Sequence, residues 1–306
     1  GPPSSSKPYL VYSCCGDKAV LPLWLRNGPR QFDLWATYYG DKDDVAWKND
    51  VDTFRRRKGG KFENLQALCR EPGVQDLVAR YDGILVLDDD VIIDAPRIEL
   101  LFKIRKRCNL TVLQPAFDPR GKVSHAVTCV QPGNQLRLTN FVEMTCPLFA
   151  SQALCSFIDQ FDSDLKGWGA DWWFLTVCSR AMRGAKKDVK EPHPRHALRG
   201  GCAVVDAITC INPTDADKSG VREINVLQGR EGRRDTWARI RRREQLDEWD
   251  HLQFEVIALD SNGAPASSLA KPHTKPVRIA GTRAYELSAG KPRAPSPEGS
   301  QDSATT

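Results

Sequence analysis

The sequence predicts an α/β domain built on a mostly parallel sheet flanked by helices, with a small antiparallel element. Three observations predict it. Short β-forming runs at 9–14, 34–39, 83–87 and 111–114 alternate with helically patterned stretches at 62–69 and 96–108, an order that favours parallel strands joined by helical crossovers. The run Gly83-Ile84-Leu85-Val86-Leu87 ends directly on Asp88, Asp89 and Asp90, and open α/β sheets hold their ligands at the carboxyl ends of such strands. The chain has 306 residues, 41% hydrophobic and 27% charged. That is enough for one large soluble core.

Each element has its own signal. The 9–14 run is short and apolar, as a strand covered on both faces is. The 34–39 run supplies the second strand, and the polar stretch 40–44 turns the chain. Along 62–69, Phe62, Leu65 and either Leu68 or Cys69 share one helical side. Pro96 sits in the first turn of the 96–108 helix, where its missing N–H is tolerated. The middle breaks the alternation: 123–130 and 136–145 read as two strands around the polar turn 131–135. Helical spacing resumes at 151–161 and 171–182, and 203–208 is a further strand. The charged segment 235–249 predicts a last helix, with Trp237, Ile240 and Leu246 on an interrupted apolar side. From 261 onward Gly, Pro, Ser and Lys become frequent, and 288–306 has too little apolar material to fold. The expected division is a stem remnant at 1–8, one catalytic domain at 9–259 and an extension at 260–306, largely irregular or disordered at its end.

Composition narrows the function classes. Forty-four basic and 39 acidic residues leave a net charge of +5, a small excess for a nucleic-acid binder. The densest basic runs are 55–58, 233–234 and 239–243. Each reads first as solvated surface, although 55–58 also suits an anionic nucleotide or an acidic acceptor. No stretch approaches the about 18 consecutive apolar residues that span a bilayer. Ten cysteines without a CxxC pair leave buried thiols and at least one disulfide both open. Asn109-Leu110-Thr111 fits an N-glycosylation triplet, whereas Pro213 excludes the one at Asn212.

Two segments carry chemistry. Alternate residues of an extended chain point the same way, so Asp88 and Asp90 are expected to share one opening. A divalent ion there would relieve their repulsion and bridge them to a diphosphate. A solvated acidic turn is the plain alternative. The second segment is Lys166-Gly167-Trp168-Gly169-Ala170-Asp171-Trp172-Trp173. Its glycines permit close backbone approach, and its tryptophans offer flat apolar walls to a sugar ring. Asp171, at a helix start, is placed to deprotonate an acceptor hydroxyl. It is equally placed to cap the helix while the tryptophans fill the core.

A series of ordered blocks resembles the DUF707 group of glycosyltransferase-like proteins. They are Lys61-Phe62-Glu63-Asn64, Tyr81-Asp82-Gly83 through Asp90, Leu113-Gln114-Pro115-Ala116-Phe117-Asp118-Pro119, and Ser124-His125. Phe141-Val142-Glu143-Met144 with Pro147-Leu148-Phe149, Gly167 through Asp171, and Ala203-Val204-Val205-Asp206 complete the series. The likeness covers about 32–213, with weaker support at 9–13. It implies a GT-A-like fold and transfer of a sugar from a nucleotide diphosphate sugar, preferably UDP-linked, to a glycan hydroxyl.

Residue by residue, the resemblance implies Asp90 as the direct ligand of a Mn²⁺ or Mg²⁺ ion, with Asp88 beside metal or ribose. Asp89, Lys61, Asn64 and Ser13 fall on the nucleotide side. Trp168, Gly169, Trp172 and Glu143 fall on the substrate side, and Asp171 matches the base of related inverting enzymes, with retaining chemistry left open because no spacing reports which sugar face is attacked. Cys210 departs from the pattern, since similar sequences often carry histidine there. Manganese and magnesium prefer oxygen and some nitrogen ligands, and His193 and His196 are the nearby substitutes. This departure keeps an inactive glycan- or nucleotide-binding protein in view, with a metal-dependent phosphohydrolase behind it. The implied compartment is the Golgi lumen, the chain being the soluble part of a single-pass membrane protein, with no nucleic-acid partner.

Overall fold

The computed structural model describes residues 7–183, 193–214, 232–266 and 276–279, and the backbone of 285–286. The expected disorder at 288–306 and most of the 1–8 stem lie outside the described residues. Within them the strands are β1 Tyr9–Cys15, β2 Phe32–Tyr38, β3 Thr53–Arg56, β4 Gly83–Asp88, β5 Val112–Phe117 and β6 Lys122–Val123. They continue as β7 Leu136–Thr139, β8 Leu148–Phe149, β9 Cys202–Cys210, β10 Leu252–Ile257, β11 Val277–Arg278 and β12 Tyr285–Glu286. The helices are α1 Lys61–Cys69, α2 Val74–Arg80, α3 Ala95–Arg107, α4 Ser151–Gln160, α5 Ala170–Arg183, α6 Pro194–Ala197 and α7 Arg233–Glu244.

One sheet has the order β11-β10-β7-β9-β5-β8-β4-β1-β2-β3. β3, β2, β1 and β4 are mutually parallel. Two-residue β8 lies antiparallel between β4 and β5, so β5 and its parallel neighbour β9 run with β4. β7 is antiparallel to both β9 and β10. Most strands therefore share one direction, in the mostly parallel α/β arrangement the sequence predicts.

Two apolar layers cover the sheet. On one face Phe62 and Leu65 of α1 pack with Phe157 of α4 and Trp173 and Phe174 of α5. On the other, Ile98, Leu101 and Phe102 of α3 pack with Trp24 and Phe32. Burial on both faces explains why β1 and β4 read as continuous apolar runs rather than alternating ones.

The middle of the chain differs from the expected pair of strands. Only Leu136–Thr139 forms a true ladder, and 123–130 becomes a two-residue strand followed by a 3-10 turn at Ala126–Thr128. The cause is Arg137, fully buried with Asp206. Its guanidinium meets Asp206 through Nε at 2.7 Å and Nη2 at 2.9 Å. It also donates to the carbonyls of Val127 at 2.8 Å and Cys129 at 2.7 Å. Backbone acceptors that a hairpin would have used are satisfied by one side chain instead.

The last helix also ends earlier than expected, at Glu244, because Gln245 adopts a left-handed conformation with φ 52°. All ten cysteines are free thiols, and nine are buried. No helix among the described residues is long and apolar enough to cross a membrane.

Candidate functional site

The carboxyl ends of β1 and β4 open together, and the three aspartates after Leu87 sit there in a tightly held loop. Trp24 Nε1 donates to the Val91 carbonyl at 2.8 Å, and the Val20 amide to the Asp89 carbonyl at 2.8 Å. Asp89 turns inward, accepting from the Gly16 amide at 2.7 Å and the Tyr39 hydroxyl at 3.0 Å. Its pKa rises to about 6, first through burial and then through the charges of Asp90 and Asp88, against the bonds from Gly16 and Tyr39. Asp88 is 38% exposed at its side chain and meets the Lys61 ammonium at 2.6 Å. Lys61, buried at the first turn of α1, also donates to the carbonyls of Met144 and Thr145. Its positive charge is committed to the floor of the opening.

The segment after β7 delivers Glu143 over this floor. Glu143 is 4% exposed and accepts from Thr128 Oγ1 at 2.7 Å, while its amide donates to Gln114 Oε1 at 2.5 Å. Burial pushes its pKa up to about 8; the bond from Thr128 opposes this, the Asp171 charge adds to it, the His125 amide opposes it, and the Asp88 charge adds to it. Glu143 thus feels both Asp88 and Asp171, and links the two predicted halves of the site.

Asp171 occupies the first turn of α5, where the helix amides favour a negative charge. Burial outweighs them: its pKa rises to about 7, with the Trp172 amide opposing and Glu248 contributing in the same direction as burial. The loop before it is fastened to α1 by Lys166, whose ammonium bonds Glu63 and the Ser163 carbonyl. Gly169 has φ 90°, and a Cβ there would lie 2.1 Å from the Trp237 ring. Only glycine permits this approach of loop and helix.

The other expected residues divide sharply. Trp168 is half-exposed beneath the Arg234 guanidinium, 4.9 Å from its ring. Trp172 belongs to a cluster with Phe141 at 4.8 Å, Trp249 at 4.9 Å and His251 at 5.8 Å. Ser13 and Asn64 lie beneath the surface. Ser13 is fully buried, and Asn64 spends its amide on Cys14 Sγ and the carbonyls of Arg57 and Gly59. The basic run 55–58 is consumed structurally, Arg55 by Glu71, Arg57 by Glu63 and Lys58 by Asp41, while Arg56 lies over the Tyr38 ring.

Among the described residues no group of three or more His, Cys, Asp or Glu side chains is placed to hold an ion, and Asp88 already faces an ammonium. Cys210 is buried and hydrogen-bonded with Cys146. His193 faces Asp247 at 3.4 Å and His196 accepts from Arg195 at 3.0 Å, so neither stands in for a ligand.

Helix α7 lines an open groove with Trp168 that the sequence reading did not assign. Arg234, Ala238, Arg241, Arg242 and Gln245 recur at helical spacing, a signal that was present in the charged run.

No family model matches the chain, and no curated protein matches its sequence. Among solved structures it is similar to a 1–349 fragment of S. aureus TarS, with 11% identity over 68% of this chain and 60% of that one and a TM-score of 0.46. The same fragment in complex with UDP-GlcNAc aligns at 11% identity over 72% and 61%, with a TM-score of 0.47. A longer S. aureus TarS structure aligns at 10% identity over 68% and 37%, with a TM-score of 0.45. The chain spans about three fifths of the fragment's length.

Proposed function

We propose that this chain is a glycosyltransferase that moves a sugar from a nucleoside diphosphate, UDP in preference, to a glycan hydroxyl with inversion. The observation that supports this best is the position of Glu143, which feels the charges of both Asp88 at the carboxyl end of β4 and Asp171 in the first turn of α5. The ordered blocks resembling the DUF707 group support the same reading.

In this proposal Asp171 takes the proton of the acceptor hydroxyl. The oxygen's electron pair attacks the anomeric carbon from the face opposite the diphosphate. The carbon–oxygen bond to the diphosphate breaks, and its electron pair leaves with that group. A base with a pKa of about 7 is suited to proton transfer near neutrality. Glu143 keeps its proton at pH 7 and can donate to a sugar hydroxyl, which an ionised carboxylate cannot do. Lys61 cancels the charge of Asp88, lowering the repulsion that a diphosphate meets beside three aspartates. Asp90 and Asp88 would hold the expected manganese or magnesium ion, which when bound would offset the charge of the diphosphate; the roles given to Asp171, Glu143 and Lys61 do not depend on it.

Titration with UDP and product detection with UDP-sugars test the proposal. Asp171→Asn should keep UDP affinity and lower turnover about 10²- to 10⁴-fold, and wild-type kcat/KM should climb with pH through about 7 as Asp171 ionises. Unchanged turnover in Asp171→Asn removes it as the base. UDP binding with no product from any donor would favour a nucleotide-binding protein on this scaffold. The Golgi lumen is the proposed compartment, supported by the sequence resemblance alone, and imaging of the tagged full-length protein would test it.

A further inference from the structure

The arginine-rich helix α7 has two faces. Arg239 and Arg243, one turn apart, pin it to Asp164 at 3.2 Å and Asp162 at 2.8 Å. Arg234 and Arg241 lie on the opposite face, because residues seven positions apart return to the same side, and Arg242 flanks them at the groove. That face walls an open groove of about 1000 Å³, whose other side is the half-exposed indole of Trp168.

The acidic residues of the groove are already engaged. Glu248 accepts from Trp237 Nε1 at 2.6 Å and faces Arg241 at 3.7 Å, and Asp247 faces His193 at 3.4 Å. Arg234 lies over the Trp168 ring, and Arg242 is exposed. Neither has a carboxylate partner among the described residues. A guanidinium binds carboxylate or sulfate through a planar fork, and an exposed indole supplies a platform for the apolar face of a sugar ring. Two of the groove's residues tie it to the proposed base: Trp168 is three residues from Asp171, and Glu248 acts electrostatically on Asp171.

We propose that this groove is the acceptor subsite and that the acceptor is an anionic glycan, one whose sugars carry carboxylate or sulfate groups. The inference rests on the transferase reading and adds its substrate class. Trp168 stacks against a ring while Arg234 and Arg242 receive the charges that flank it.

The test measures binding to the whole chain by titration calorimetry, with quenching of tryptophan fluorescence alongside. The probes are an oligogalacturonate, a heparin-derived oligosaccharide, a neutral cello-oligosaccharide of equal length and a single-stranded oligonucleotide of equal charge. One or both anionic saccharides should bind at least about ten-fold more tightly than the neutral one, and the excess should shrink as salt rises. Binding of the oligogalacturonate shows that carboxylates suffice, and binding of the heparin fragment alone, which carries both groups, shows that sulfate is required. Arg234→Gln with Arg242→Gln, both at exposed positions outside the core, should abolish that excess and leave UDP affinity and the melting temperature unchanged. Equal affinity for the neutral saccharide, an unaffected double variant, or tighter binding of the oligonucleotide would overturn the proposal. UDP affinity, measured in parallel, separates failure of this subsite from failure of the transferase reading itself.

Discussion

Replacing Glu143 with glutamine should stabilise the protein in mild alkali and change little in mild acid. The native carboxyl has a pKa of about 8 against an ordinary 4.5, with burial as the leading cause. Below about pH 4.5 the folded and unfolded chains both hold the proton, and the group has no effect on the balance. Between 4.5 and 8 the unfolded chain releases a proton that the folded chain retains, so stability falls as pH rises, by about 1.4 kcal/mol per pH unit. Above pH 8 the accumulated loss is on the order of 5 kcal/mol. Glutamine keeps a carbonyl oxygen for Thr128 Oγ1 and the His125 amide but never ionises. Urea unfolding at constant ionic strength from pH 5 to 9 reads this directly. The variant should track the wild type near pH 5 and exceed it by several kcal/mol at pH 9. Asp171 and Asp89, raised to about 7 and about 6, act in the same direction and remain in the variant, so its slope should diminish without vanishing. Parallel curves for the two proteins would refute the argument, because Glu143 would then ionise as freely in the folded chain as in water.

Three other perturbations test separate parts of the structure. Arg137→Ala strands the fully buried Asp206 carboxylate, and denaturation should record a loss of about 3–5 kcal/mol; joint replacement of both residues by apolar ones should cost less. Gly169→Ala forces a side chain into a φ of 90° against the Trp237 ring, so unfolding should show at least about 1–3 kcal/mol of strain, and Trp168 fluorescence should change as the loop withdraws. Maleimide labelling followed by intact mass should find ten reactive thiols in denaturant without any reductant, and few in the folded protein, where nine cysteines are buried.

What could be read in advance was what local chemistry dictates. The run ending at Asp88 had to be a buried strand, because its residues are uniformly apolar and β-forming, and β4 is found there. The helices α1, α3, α4 and α5 followed from periodicity, with edges moved by a residue or two. β8 left no trace, since two residues carry no period. β10, Leu-Gln-Phe-Glu-Val-Ile, alternates for only its first four residues, a short period-2 signal. Of the site, the carboxylates were visible as residue types, whereas the use of each depends on partners far along the chain. Lys61 reads as a phosphate contact until Asp88 and the Met144 carbonyl, 27 and 83 residues away, take up its hydrogens. Asn64 reads as a ligand contact until the turn around Gly59 occupies its amide.

The smallest strand has a consequence for how such a protein can diversify. β8 is wedged between β4 and β5, and the stretch leading into it is stitched to β4 by the Val86 amide on the Pro147 carbonyl and the Asp88 amide on the Thr145 carbonyl, each at 2.9 Å. Glu143 therefore hangs from the middle of the sheet, and a residue inserted or deleted between 143 and 149 would shift two strands at once. Helix α7 meets the rest through side chains, with Trp237 and Ile240 in the core and arginine pairs to Asp162 and Asp164, and its outward positions can be exchanged without touching a ladder. Variation should accordingly pool on that helix and stay scarce around β8, leaving one half of the crevice almost immovable and the other open to retailoring in the laboratory.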